Sequence, residues 1–138
     1  MRFSFSYNTK VRVRYGETDQ MGYCYYGNYA QYFEVGRVEA LRSLGFSYKE
    51  LEDEGIMLPV SEYEVKYLRP AFYDDELTIL TTIDQIDGAR ITFKYELRNA
   101  DNKTIAKAST VLVFVNHQTR KPCKVPSSIL TALNNHTI

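Results

Sequence analysis

The chain has 138 residues, 44% of them hydrophobic, enough for one core and too few to expect two. Its 17 basic residues are matched by 17 acidic ones, so no global field draws it to nucleic acid or to an anionic membrane. No segment approaches the roughly 20 apolar residues of a bilayer span and Met1 to Lys10 lacks a signal-type apolar run, so a single soluble, cytoplasmic domain over 1–138 is expected.

Taken in order, Tyr7 to Tyr15 alternates as a half-buried strand, with Val11, Val13 and Tyr15 facing one way and Lys10, Arg12 and Arg14 the other. A polar loop, Gly16 to Tyr25, carries Asp19. Asn28 with Gln31 three residues on resembles an N-cap and its reciprocal partner, so a helix is predicted to start there. Tyr29, Tyr32, Phe33, Gly36, Ala40 and Leu44 recur at helical spacing, Gly45 ends the pattern, and little of its circumference reads as solvent face. Small residues at 36 and 40 allow a close approach to a sheet.

Ser47 to Glu54 reads as a short helix, with Ser47 and Glu50 as a capping box and Gly55 as its stop. Four strands follow: Leu58 to Leu68, Glu76 to Ile86, Arg90 to Arg98 and Thr104 to Val115. They are separated by Pro70 with Asp74-Asp75, by the hairpin signal Asp87-Gly88 and by a turn from Asn99 to Lys103. Ile91, Phe93, Tyr95 and Leu97 alternate with polar residues, which predicts one wet face. In the last strand Val111, Val113 and Val115 interleave with Leu112 and Phe114, which predicts a central position covered on both faces. Pro126 to Leu133 is expected to form a last helical turn or two.

The order lacks strand–helix alternation, which argues against a doubly wound nucleotide-binding fold. An α+β domain is expected, a curved antiparallel sheet wrapped around one long central helix. The edges of such a sheet need covering, and a second copy is one way to cover them.

The two cysteines, Cys24 and Cys123, and the two histidines, His117 and His136, offer neither a metal-type spacing nor a Ser-His-Asp set. No metal and no cofactor are therefore expected. Carboxylates, backbone dipoles and tyrosine hydroxyls remain as chemistry. Asp19 beside a helix N-terminus pairs an ionisable acid with unpaired N–H groups that polarise a carbonyl; the plain alternative is a turn-forming Asp before Gly22. Glu34 is a rival acid, better read as the partner of Arg37 at a spacing of three. Tyr23, Tyr25, Tyr26, Tyr29 and Tyr32 are candidates to line a ligand pocket, with Tyr29 and Tyr32 leaning to core. Lys66, Arg69, Arg90 and Arg120 are candidate phosphate ligands.

The string Tyr15-x-x-Thr18-Asp19-x-x-Gly22-x-x-Tyr25-x-x-Asn28-Tyr29-x-x-x-Phe33-Glu34-x-x-Arg37-x-Glu39 resembles the hotdog-fold acyl-CoA thioesterases of the 4-hydroxybenzoyl-CoA thioesterase-like family. Val65-x-Tyr67-Leu68-x-Pro70 and Asp75-Glu76-Leu77 extend the likeness, which covers Tyr7 to Val115. The resemblance implies a hotdog domain that forms a homodimer or homotetramer, with active sites between subunits and a coenzyme A thioester as substrate. It gives Asp19 the role of catalytic nucleophile or general base and places Tyr26 where a backbone N–H holds the thioester carbonyl. Many members carry a histidine there, so only the backbone contribution carries over. Gly22, Tyr25, Gly27, Asn28 and Arg69 are the expected substrate-binding residues. A binder without hydrolytic activity is the main alternative. A hydratase ranks last, because the histidine of its usual acid–base pair is missing.

Overall fold

The computed structural model describes residues 1–138. Chain order is β1 (Arg2–Arg12), α1 (Tyr29–Ser43), α2 (Tyr48–Asp53), β2 (Ile56–Met57), β3 (Val60–Tyr67), β4 (Glu76–Asp87), β5 (Arg90–Arg98), β6 (Thr104–Val113), β7 (Val115–Asn116) and α3 (Ser127–Ala132). Five strands form one antiparallel sheet in the order β1-β4-β5-β6-β3, and β2 pairs with β7 apart from it. The hairpin at Asp87-Gly88 closes as its residues predict, Gly88 taking a φ of +61° that an L side chain resists.

Helix α1 lies across the concave face of the sheet. Tyr29, Tyr32, Phe33, Gly36, Ala40 and Leu41 are buried against Leu77, Ile79, Phe93 and Tyr95. Gly36 sets the approach: a Cβ there would meet Thr81 Oγ1 and lie 2.8 Å from Ile79 Cγ2, so only glycine lets the axis sit this close. Gly45, at a φ of +95°, ends the helix. Ser47 caps α2, its hydroxyl accepting the Glu50 N–H at 3.1 Å.

Several expectations are corrected. β1 begins at Arg2 and stops at Arg12, because Phe3 already packs in the core; Tyr15 turns outward and is 77% exposed. β5 holds the centre of the sheet, whereas β6 lies one place from the edge, with Val111 and Val113 only half-buried on the outer face. β-branched residues on both faces of a strand therefore overstated its coverage. α1 is wetter than its pattern predicted: Gln31, Glu34 and Val35 are exposed, the first two in a hollow shared with Val60 and Tyr63 of the edge strand β3.

Candidate active site

After β1 a single 3-10 turn, Tyr15–Glu17, leads into a small hairpin. Thr18 bridges to Cys24, the Asp19 N–H donates to the Tyr23 carbonyl at 2.9 Å, and Gly22 makes the tip at a φ of +81°. Two contacts strap this hairpin to the segment after β3. The Cys24 N–H donates to the Ala71 carbonyl at 2.7 Å, and Tyr23 bridges to Phe72. Residue 19 is thereby fixed at the opening of α1.

Asp19 is half-buried. Its Oδ1 accepts the N–H groups of Met21 at 2.9 Å and Tyr23 at 3.2 Å, while Oδ2 has no partner within the chain. The turn-forming role and a free carboxylate oxygen thus coexist in one side chain. Asp19 and Tyr26 line two adjoining clefts. One, of about 350 Å³, also has Met21 and Tyr25 in its wall. The other, of about 170 Å³, adds Cys24, Tyr29, Tyr67 and Pro70. A larger hollow of about 540 Å³ lies on the outer face of the sheet among Lys66, Lys94 and Lys107. Its lining places no acid beside a helix opening.

The opening of α1 is itself unusual. A 3-10 turn, Tyr26–Asn28, precedes it, entered from an extended Tyr25 at φ −63° and ψ 132°. The Tyr25 N–H is taken by the Glu17 carbonyl at 2.7 Å and the Asn28 N–H by the Tyr25 carbonyl at 3.0 Å. Neither the Tyr26 nor the Gly27 N–H has an acceptor in the chain. Such orphan donors carry the positive end of the helix dipole. Gly27 lets the Tyr25 ring fold over this turn, since a Cβ at 27 would lie 2.6 Å from Tyr25 Cε2.

Asn28 does not cap α1 as its spacing with Gln31 suggested. It is already helical, at φ −83° and ψ −17°, and its Nδ2 reaches back to the Glu17 carbonyl at 2.8 Å. The N-cap signal was right about position and wrong about the bond made.

The structure brings Asp19, Gly22, Tyr25, Tyr26, Gly27 and Asn28 together in this loop and turn. Arg69 is not brought into either cleft: it is exposed and donates from Nη1 to the Thr104 carbonyl at 3.0 Å, and only its neighbour in sequence, Pro70, lines the site. The other cations are not brought there either. Lys66 lies on the outer face, Arg90 pairs with Val113 at the end of the sheet opposite Tyr67, and Arg120 rests 3.5 Å from Met57 Sδ. Glu34 faces Arg37 at 3.8 Å, as the spacing of three predicts, but the pair is not a buried one: the Glu34 side chain is 64% exposed while Arg37 is buried, and Glu34 lines neither cleft that Asp19 shares.

Burial pushes the Cys24 thiol up, despite the hydrogen bond to Tyr32, which disfavours a nucleophilic thiolate. Burial also raises Tyr29 and Tyr32, so both keep their protons. The residue that sequence reasoning passed over is Glu17, a nearly buried acid at 8% exposure. Its burial reflects Tyr32, fifteen residues on, whose hydroxyl donates to it at 2.8 Å.

A curved five-stranded antiparallel sheet around one long helix, with a carboxylate loop at the helix opening, defines a hotdog-fold domain. The family model described as the thioesterase-like superfamily matches residues 13–133, and the chain belongs to that family. It is 35% identical over 120 residues to the acyl-CoA thioester hydrolase YbgC of Escherichia coli, covering 87% of this chain and 90% of that protein. A solved DHNA-CoA thioesterase from Staphylococcus aureus superposes with a TM-score of 0.86 at 34% identity, covering 94% of this chain and 93% of that one. A mutant 4-hydroxybenzoyl CoA thioesterase complexed with 4-hydroxybenzoyl CoA shares the fold, with a TM-score of 0.86 at 18% identity over 94% of this chain and 99% of that one. The expected enzyme class, thioester hydrolase, agrees with these relatives.

Proposed function

We propose that the chain hydrolyses acyl-CoA thioesters, with the Asp19 carboxylate acting on the carbonyl carbon and the Tyr26 N–H holding the carbonyl oxygen. The observation that carries this reading is the shared cleft: a carboxylate oxygen without a partner and an N–H without an acceptor belong to residues in the same walls. Negative charge builds on the carbonyl oxygen as the carbon turns tetrahedral, and a helix-opening donor stabilises it there. Asp19 either takes a proton from a water whose oxygen adds to the carbon, or attacks directly to give a mixed anhydride that water then cleaves. In both routes the C–S bond breaks as the tetrahedral intermediate collapses, and the thiolate leaves and takes up a proton derived from the water. Both routes use the carboxylate oxygen that the loop leaves unpaired.

The relatives named for acyl-CoA and DHNA-CoA thioesters support coenzyme A as the leaving group. We assign Arg69, exposed and next in sequence to the cleft residue Pro70, to its phosphates. We assign the functional unit to a homodimer or homotetramer. β3 leaves a full edge unpaired, and its cleft residue Tyr67 is 45% exposed, so a second copy along that edge would close the cleft. No helix is long and apolar enough to cross a membrane. The unpaired cysteines Cys24 and Cys123 suit a reducing cytoplasm.

The direct test is release of free thiol from a panel of acyl-CoAs of differing chain length and aromaticity. At least one should turn over at a kcat/KM above ~10⁴ M⁻¹s⁻¹, within the ordinary enzymatic range. Tight binding of acyl-CoA with no thiol released on any substrate would instead make the chain a binder.

A further inference from the structure

Glu17 is tied to more of the site's scaffold than any other side chain in it. One carboxylate oxygen accepts the Arg14 N–H at 2.8 Å and the Tyr32 hydroxyl at 2.8 Å. The other accepts Arg14 Nη2 at 3.1 Å. Its carbonyl accepts the Tyr25 N–H at 2.7 Å and Asn28 Nδ2 at 2.8 Å. One residue therefore joins the chain just after β1, the turn that presents Tyr26 and the first turn of α1. Asp19 follows it by two positions.

A buried carboxylate is costly unless its oxygens are satisfied, and an apolar residue would fill the same space more cheaply. An acid at this position points to a requirement that packing alone does not meet. Burial by itself would raise its pKa, but the Arg14 N–H, the Tyr32 hydroxyl and the Arg14 guanidinium outweigh burial and hold it below the usual carboxylate range. It is thus an anion with fixed donors on two elements.

From this geometry we infer that Glu17 is a positioning residue for thioester hydrolysis: it fixes the Asp19 loop against the opening of α1, and so sets where the carboxylate stands relative to the Tyr26 N–H. It touches no reacting atom. This inference rests on the thioesterase reading above and names a further residue that the reading requires. The sensitivity is steep, because misplacing a reacting group by about 1 Å costs up to about 100-fold in rate.

Glu17→Gln puts an NH₂ group where a carboxylate oxygen faced the Arg14 guanidinium, and Tyr32→Phe removes the hydroxyl that ties Glu17 to α1. Steady-state thiol release, measured well below each variant's Tm and scaled to the folded fraction, separates positioning from stability. We expect Glu17→Gln to lower kcat by about 10- to 30-fold and Tyr32→Phe by about 3- to 10-fold, each with KM within about 3-fold of wild type. Should Glu17→Gln fail to fold, Tyr32→Phe decides the matter, since it keeps both Arg14 contacts. Wild-type kcat in the folded variants, or losses that track only the unfolded fraction, would overturn the inference. Asp19→Asn run alongside keeps the two ideas apart. A dead Asp19→Asn with a fully active Glu17→Gln overturns the positioning role alone, whereas a wild type that releases no thiol overturns the hydrolase reading itself.

Discussion

Asp19→Asn is expected to lower kcat/KM for acyl-CoA hydrolysis by about 10³-fold, the range for loss of a catalytic base or nucleophile. By transition-state arithmetic that loss is about 4 kcal/mol. The substitution is clean because of what Oδ1 already does. It accepts the Met21 and Tyr23 N–H groups at 2.9 and 3.2 Å, and the Asn side-chain oxygen accepts the same two donors. The hairpin with Gly22 at its tip should therefore persist, with Tm moving by less than about 2 °C. Only the charge and the unpaired oxygen are lost. Thiol release and a thermal melt on the same preparation check both halves, and a mutant within about 5-fold of wild type would remove Asp19 from the mechanism.

Tyr26→Pro should lower kcat by about 10²- to 10³-fold, the cost of deleting one oxyanion donor. Proline is an unusually specific probe at this position. Tyr25 already holds the extended conformation that a residue before proline prefers, and the Tyr26 N–H has no acceptor to lose. Proline is also at home in the first turn of a helix. The substitution takes away the ring as well, which packs tilted against that of Tyr25 with centroids 4.7 Å apart, so Tyr26→Ala is the necessary comparison. Alanine removes the ring and keeps the N–H. The account requires Pro to fall well below Ala in kcat. Equal losses would mean that the ring, or the cleft wall it forms, matters and the backbone donor does not.

Much of the architecture could be read from punctuation and period. Gly45, Ser47 with Glu50, Gly55 and Asp87-Gly88 fixed element ends because each has a local cause, a positive φ or a side-chain cap. The alternation of Ile91, Phe93, Tyr95 and Leu97 fixed the buried face of β5. Order within the sheet was harder. Both β5 and β6 carry apolar runs, and which one holds the centre depends on β3 returning to the far side of β6, a pairing between segments with no local signal. The start of β1 was missed although Phe3 and Phe5 alternate there, since a short run at the terminus becomes a strand only by pairing with β4.

The candidate site divides the same way. Asp19, Gly22, Gly27 and the helix opening are close in sequence, so spacing alone set them side by side. Glu17 is in the same loop, yet nothing nearby marks it as buried. Its donor Tyr32 comes from α1, and only the folded chain shows that this tyrosine points at an acid. Asn28 shows the converse: the local cap signal was strong, but the 3-10 turn ahead of α1 redirected the side chain to the Glu17 carbonyl.

The most direct measurement is a crystal structure with a non-hydrolysable acyl-CoA analogue whose carbonyl is retained. It should place that carbonyl oxygen at about 2.7–3.1 Å from the Tyr26 nitrogen and its carbon at about 3–3.5 Å from Asp19 Oδ2 or from a water held by it. A carbonyl bound away from the turn before α1, with Asp19 facing only solvent, would contradict the mechanism.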